Sequence, residues 1–188
     1  MVVIGLGNPG AEFEGTRHNV GADVVDLLAQ RAGGRLRPER GLHARAATVQ
    51  LAGRRALLAV PTTYMNDSGA AAAPLLRRGG GAPLLVVHDE LDLPAGRIKV
   101  KVGGGNAGHN GLRSIDRALR TRDYTRVRIG IGKPPGRLDG ADYVLSRPGA
   151  RDREALAVAR GEAADAVETV LADGVDAAMQ RFNGAPAG

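Results

Sequence analysis

Four histidines and no cysteine limit the bases and nucleophiles open to this 188-residue chain. A thiol nucleophile and a disulfide frame are both excluded. His18 stands in Gly15-Thr16-Arg17-His18-Asn19, at a loop-to-helix junction where functional side chains are often displayed. It reads as a general base, or else as a surface or capping group. Asp89 follows the apolar run 84–87. Ligands of open α/β sheets bind beyond the carboxyl ends of strands, so an acid there is a site candidate; the plainer reading is an exposed acidic turn. His88-Asp89-Glu90-Leu91-Asp92 is carboxylate-rich, but as a tight loop without a histidine at ligand spacing it makes a poor metal site, and no metal is expected. Asn66 in Tyr64-Met65-Asn66 and Asn110 in Gly108-His109-Asn110-Gly111 are amides that can donate to a developing oxyanion. Asparagine is equally common in turns and caps. There is no Gly-x-Ser-x-Gly, no serine triad signature and no P-loop, so a hydrolase built on this chain is expected to use water as its nucleophile.

Gly5-Leu6-Gly7-Asn8-Pro9-Gly10 matches the dinucleotide fingerprint. Its context does not. Gly15 interrupts where the helix should run, and the strand at 43–51 ends in Gln50-Leu51-Ala52 rather than an acid for the ribose. A tight turn that needs glycine dihedrals, or one that aims Asn8 into a cleft, explains the glycines as well.

Charge is unevenly distributed along the chain. The formal net charge is +6, and from Arg97 to Arg137 there are eleven Lys/Arg against two acids. From Arg151 to Asp176 the balance reverses, with three Arg against seven acids. Arg97, Lys99 and Lys101 recur at period two and share one strand face, and Arg126 and Arg128 repeat the spacing. Paired in one sheet they would form a flat basic patch suited to phosphate, with the glycines at 103–105 able to bring backbone amides to an anion. The alternatives are a solvated face and arginine-rich composition.

These residues need a scaffold. An apolar strand opens the chain at 2–6, and Asn19 is placed to cap a helix carrying Val20, Val24, Leu27 and Leu28 at helical spacing. Strands at 43–51 and 54–60 read as a hairpin around Ala52-Gly53. A short helix at 70–78 contains Pro74, which should kink it or confine it to its first turn. A buried, parallel strand at 84–87, strands at 96–102 and 124–131, and helices at 111–120, 151–171 and 175–182 follow. The alternation of strands and helices gives an α/β class: a single domain over 1–184, with a mixed β-sheet flanked by helices and a frayed tail at 185–188. No run approaches the roughly 18 apolar residues of a membrane span, and the N-terminal segment reads as a strand rather than a signal peptide, so a cytoplasmic location is expected.

Taken together, the blocks 5–21, 60–69, 86–105, 108–115 and 126–134 resemble the bacterial-type peptidyl-tRNA hydrolase family, in family order and over nearly the full chain. The resemblance implies a cofactor-free, monomeric α/β enzyme that hydrolyses the ester of peptidyl-tRNA. It implies His18 as the catalytic base, Asp89 as the residue that holds it, and Asn8 as a recogniser of the blocked α-amino group. Tyr64, Asn66 and Asn110 would line the substrate site, and Lys99, Lys101 and Arg128 would bind tRNA phosphates. Phe13 stands where the family usually has tyrosine, so a hydroxyl contact to substrate is lost, and Pro74 is unusual. Two other classes remain open: a dinucleotide-dependent oxidoreductase, and a non-catalytic RNA-binding module that would need the basic strands but neither His18 nor Asp89.

Overall fold

The computed structural model describes residues 1–184; the tail at 185–188 lies outside them. Seven strands form one mixed sheet in the order β2-β3-β4-β1-β5-β7-β6. They are β1 (Val2–Gly5), β2 (Arg37–Glu39), β3 (Ala44–Leu51), β4 (Arg54–Pro61), β5 (Leu84–Glu90), β6 (Ile98–Val102) and β7 (Thr125–Gly130). The helices are α1 (Val20–Arg31), α2 (Gly69–Arg78), α3 (Asn110–Leu119), α4 (Gly140–Val144), α5 (Ala150–Asp173) and α6 (Val175–Phe182). The expected single-domain α/β class is therefore what forms.

The four middle strands β4, β1, β5 and β7 run parallel, and β2, β3 and β6 are antiparallel to their neighbours. From β1 the chain goes by α1 and the hairpin to β4 on one side, then by α2 to β5 on the other. This reversal opens a crevice beyond the carboxyl ends of β1 and β5, where open α/β sheets bind ligands.

Two apolar layers sandwich the sheet. On one face Val3, Leu85, Val87, Val127 and Ile129 pack with α1, α5 and α6; on the other Val2, Ile4, Leu84 and Val86 pack with α2 and α3. Buried Val/Ile/Leu on both faces is why the parallel strands read as continuous apolar runs. The hairpin forms as expected, its two-residue turn Ala52-Gly53 having φ of 50° and 70°, the mirror-image turn that matches strand twist.

Three expectations change. Strand β5 does not stop at residue 87: it pairs with β7 as far as Glu90↔Gly130, so His88, Asp89 and Glu90 belong to the strand. Helix α2 continues through Pro74 to Arg78, because Ala71, Ala72 and Leu75 anchor it in the core. Asn19 makes no side-chain cap to α1; its amide is used elsewhere. The short β2 and α4 carry too little apolar periodicity to be legible in sequence.

Candidate active site

The centre of the crevice is Asp89. Leu85, Val87 and Asp89 alternate onto the α1 face of β5, while His88 and Glu90 point to the α3 face. The alternation explains why the two adjacent acids cannot converge on one ion. His18 arrives from the 3₁₀ turn Arg17–Asn19 that leads into α1. The turn comes close because Gly21 sits against the Val87 carbonyl, which a Cβ would strike, and Gly5 faces Gly21 in the same way. These glycines pack helix onto strand and so carry the imidazole over the end of β5.

His18 Nδ1 lies 2.9 Å from Asp89 Oδ1. His109 Nε2 lies 2.8 Å from the same oxygen. His109 is also the N-cap of α3, its Nδ1 accepting from the backbone N–H of Gly111 at 3.1 Å and Leu112 at 3.4 Å. An Nδ1 that accepts fixes the tautomer: Nε2 carries the proton and donates to Asp89. Donation from His18 Nδ1 to the carboxylate likewise leaves His18 Nε2 with its lone pair free. Burial pushes the Asp89 carboxyl up, but the N–H donors of His109 and then His18 outweigh it and hold the group well below the usual carboxylate range. His88 is fully buried beneath, its ring edge-on to His109 at 5.1 Å and its Nδ1 2.7 Å from the Asp89 carbonyl. Burial, then the neighbouring His109, lowers its pKa to about 3, so it is neutral.

The donor atoms of His18, Asp89 and His109 fall within 4.8 Å of one another, close enough to be asked whether they hold a metal. Both nitrogens contact one oxygen at hydrogen-bond distance, and the second nitrogen of His109 is taken by backbone N–H groups. The cluster is satisfied as a carboxylate with two imidazole donors.

Asn8 lies in the turn after β1. Its Oδ1 accepts from the Met65 N–H at 2.7 Å, and its backbone N–H and carbonyl are bridged by the Asn19 side chain at 2.8 and 2.9 Å. Asn19 therefore fastens the Asn8 turn to the His18 turn, a role invisible in sequence except that it is the residue after His18. With Oδ1 engaged, Asn8 presents only its Nδ2 donors to a ligand. The Met65 contact also brings the Tyr64–Asn66 turn alongside. Tyr64 is 61 % exposed, and Phe13 meets it edge-on with ring centroids 6.2 Å apart. Asn66 is exposed. Asn110, the first residue of α3, lines a cleft of about 280 Å³ with His18, Asp89 and His109, walled opposite by Gly140, Ala141 and Val144 of α4.

The basic residues gather at the sheet edge. Lys99 pairs across from Arg128 and Lys101 from Arg126, so the expected common face forms. The two arginines are engaged within the fold. Arg128 gives Nε and Nη2 to Glu90 Oε2 at 3.0 and 2.9 Å; Arg126 is buried, donating to the Gly104 and Gly105 carbonyls. Lys101 is exposed and Lys99 half-buried. Sequence reasoning missed the outer face of α3, where Arg113 and Arg117 recur at helical spacing with Arg120 just past the helix end, all three exposed. It also missed His109, which stands beside Asn110 in the same motif. Arg97 does not join the face; its guanidinium donates to the Gly184 carbonyl.

A seven-stranded α/β sheet with a buried imidazole–carboxylate–imidazole cluster at the carboxyl end of β5, and only the short 3₁₀ turn Ala11–Phe13 after the glycines, is a hydrolase-like arrangement rather than a dinucleotide site. The comparisons make the class specific. The sequence profile of the family "Peptidyl-tRNA hydrolase" matches residues 2–187. The chain is 51 % identical to the peptidyl-tRNA hydrolase of Frankia alni over 97 % of its own length and 93 % of that protein's. It is 51 % identical to that of Rhodococcus erythropolis, covering 97 % of each chain. A crystal structure of peptidyl-tRNA hydrolase from Acinetobacter baumannii superposes with a TM-score of 0.91 at 35 % identity, covering 97 % of this chain and 94 % of that one. The chain belongs to the peptidyl-tRNA hydrolase family.

Proposed function

We propose that this protein hydrolyses the ester that joins a peptide to the ribose of tRNA, with His18 as general base to water. The observation that carries this reading is the buried 2.9 Å contact of His18 Nδ1 with Asp89 Oδ1, which leaves Nε2 unprotonated at the cleft. Nε2 takes a proton from water, and the resulting hydroxide attacks the ester carbonyl. Asp89 holds the tautomer and stabilises the imidazolium. The tetrahedral intermediate collapses, the proton passes from His18 to the departing ribose oxygen, and peptide acid and tRNA separate. General-base help of this kind contributes about 10²–10⁴-fold. His109 acts through Asp89: its fixed Nε2–H keeps the carboxylate ionised and oriented.

Asn8 contributes Nδ2 as a donor to the acyl carbonyl of an N-blocked substrate, which a free amino group lacks. Asn110 donates near the ester from the start of α3. Asn66, with Tyr64 and Phe13, meets substrate from the turn that Asn8 holds. Lys99, Lys101 and Arg128 receive tRNA phosphates, extended by Arg113 and Arg117 on α3 and Arg120 at its C-cap. Glu90 lines the cleft and grips Arg128, so the phosphate surface begins one ion pair from the base. We place the protein in the cytoplasm as a monomer without a cofactor. Among the described residues no helix is long and apolar enough to cross a membrane.

The test is release of N-acetyl-amino acid from N-acetyl-aminoacyl-tRNA by the purified protein, with free aminoacyl-tRNA as the control. Cleavage of the first and sparing of the second is expected. Tight tRNA binding without cleavage would instead assign a non-catalytic RNA-binding module.

A further inference from the structure

The wall of the cleft opposite the histidines is thinly supported. It is α4, only five residues long, reached from β7 through a mostly exposed stretch at 132–139, and only Tyr143 and Val144 of it are buried. Beside it lies a charged group that the mechanism does not use. Arg17, the residue before His18, is 7 % exposed. Its Nη1 donates to the Ser146 Oγ at 2.6 Å, the Ser146 carbonyl at 3.2 Å and the Arg147 carbonyl at 3.2 Å. Its guanidinium carbon stands 4.1 Å over the centre of the Tyr143 ring. Its backbone N–H also donates to the Ser146 carbonyl at 3.1 Å. Tyr143 is tied on its far side, its hydroxyl donating to the Ile131 carbonyl at 2.7 Å.

This is a costly way to gain stability. The nearest counter-ion, Asp152, is 3.5 Å away and 38 % exposed, and Arg17 Nε is buried without a hydrogen-bond partner among the described residues. A buried, incompletely paired charge contributes little compared with an apolar side chain of the same volume; what such groups supply best is registry. The planar fork supplies it here, because one guanidinium fixes two consecutive carbonyls, a hydroxyl and an aromatic ring at once.

We propose that Arg17 is a positioning residue that locks the α4 wall in register with His18. The turn that delivers the base and the wall that closes the cleft over the ester become one rigid unit. A substrate held by the wall then meets Nε2 at a fixed distance. Arg17 touches neither the reacting atoms nor the basic edge. The inference rests on the hydrolase reading above.

The experiment compares wild type, Arg17→Lys, Ser146→Ala and the double variant with N-acetyl-aminoacyl-tRNA as substrate, well below each protein's melting temperature. Misplacement by about an ångström costs up to ~100-fold, so Arg17→Lys is expected to lose about ten- to a hundredfold in kcat. Affinity for deacylated tRNA and the shape of the pH–rate profile should be kept, because Asp89 still holds His18. Ser146→Ala, which removes one acceptor of Arg17 together with the Ser146 hydroxyl's own bond to the Tyr143 carbonyl at 2.6 Å, should lose less, and the double variant should fall little further than Arg17→Lys alone. Kinetics equal to wild type in folded Arg17→Lys and Ser146→Ala, with only the melting temperature lowered, would overturn the proposal. So would additive losses. If Arg17→Lys does not fold, Ser146→Ala together with Tyr143→Phe decides: unchanged kcat in both overturns it. A wild type that cleaves no N-acetyl-aminoacyl-tRNA fails the hydrolase reading itself, and this inference with it.

Discussion

Two charged regions of this molecule sit one ion pair apart and are built on opposite terms. Around Asp89 one carboxylate oxygen holds two imidazoles, and one of these is fixed in turn by a helix N-terminus. At the β6–β7 edge the lysines and the α3 arginines face outward, with only Arg126 and Arg128 tied down. In the low dielectric of the first region small displacements matter and charge is preorganised for chemistry. In the second, charge is screened, long-ranged and tolerant of displacement, which suits a polyanion. The lysines on edge strand β6 also deter pairing with another sheet, and the Asn183 side chain seals that edge by hydrogen bonds to the Val100 N–H and carbonyl at 2.7 and 2.8 Å. Catalysis and binding should therefore separate cleanly by mutation.

The largest effect is expected from His18→Ala. It should remove about 10²–10⁴-fold of kcat while tRNA affinity stays within twofold or so, read by single-turnover cleavage beside a binding titration. Asp89→Asn comes next. It removes the charge that favours the imidazolium and frees His18 to adopt the wrong tautomer. A lower plateau is expected, with the acid limb of the pH–rate profile moved to lower pH. An unchanged profile would show that the 2.9 Å contact does not operate in solution.

Asn8→Ala sharpens the boundary between the regions. An unmet amide partner costs about 1–3 kcal/mol, or roughly 5–150-fold in selectivity. The ratio of kcat/KM for N-acetyl-aminoacyl-tRNA over aminoacyl-tRNA should fall. Because Oδ1 also holds the Met65 N–H, some loss of melting temperature should accompany it. A ratio that holds while both rates fall would assign Asn8 to the turn alone.

Substitutions at the basic edge should leave kcat nearly untouched. Lys101→Ala should flatten the slope of log affinity against log salt by about 0.7–0.9 or less, since one phosphate contact contributes no more than that. Arg128→Ala should do the same but also destabilise the fold, as it strands the buried Glu90. A salt slope unchanged in Lys101→Ala would make the edge a solvated surface only.

The last effect concerns stability in acid and not the reaction. Native His88 has its pKa lowered to about 3 from the usual 6.5, so the unfolded chain binds this proton first as pH falls. Its contribution is intact above about pH 6.5 and is lost progressively toward pH 3. His88→Leu should flatten the stability–pH curve in that window, measured by urea denaturation; an equal slope would mean that His88 is solvated.

Much of this was legible in sequence, for a physical reason in each case. Apolar runs at 2–6 and 84–87 announce buried parallel strands, and the period-two lysines and arginines announce a shared face, because both signals are local. The family resemblance pointed to His18 and Asp89 together. What was not legible depends on distance. His109 reaches Asp89 only because α3 begins there, and nothing in a glycine-rich loop says which histidine will cap. The extension of β5 through His88-Asp89-Glu90 needs β7 alongside, so a polar tripeptide read alone looks like a turn. Asn19 as a bridge to Asn8, and Glu90 as the partner of Arg128, are likewise tertiary facts. Arg17 looked like part of a motif when its contacts lie some 130 residues away.

Chemistry and binding can be read apart in a single titration. Single-turnover cleavage of N-acetyl-aminoacyl-tRNA is titrated with wild type, His18→Ala, Lys101→Ala and the double variant, each titration yielding a rate constant at saturation and a half-saturating concentration. His18→Ala should lower only the first, Lys101→Ala should raise only the second, and the double variant should show both effects at full size. A His18→Ala protein that cleaves at close to the wild-type rate when saturated would contradict this separation.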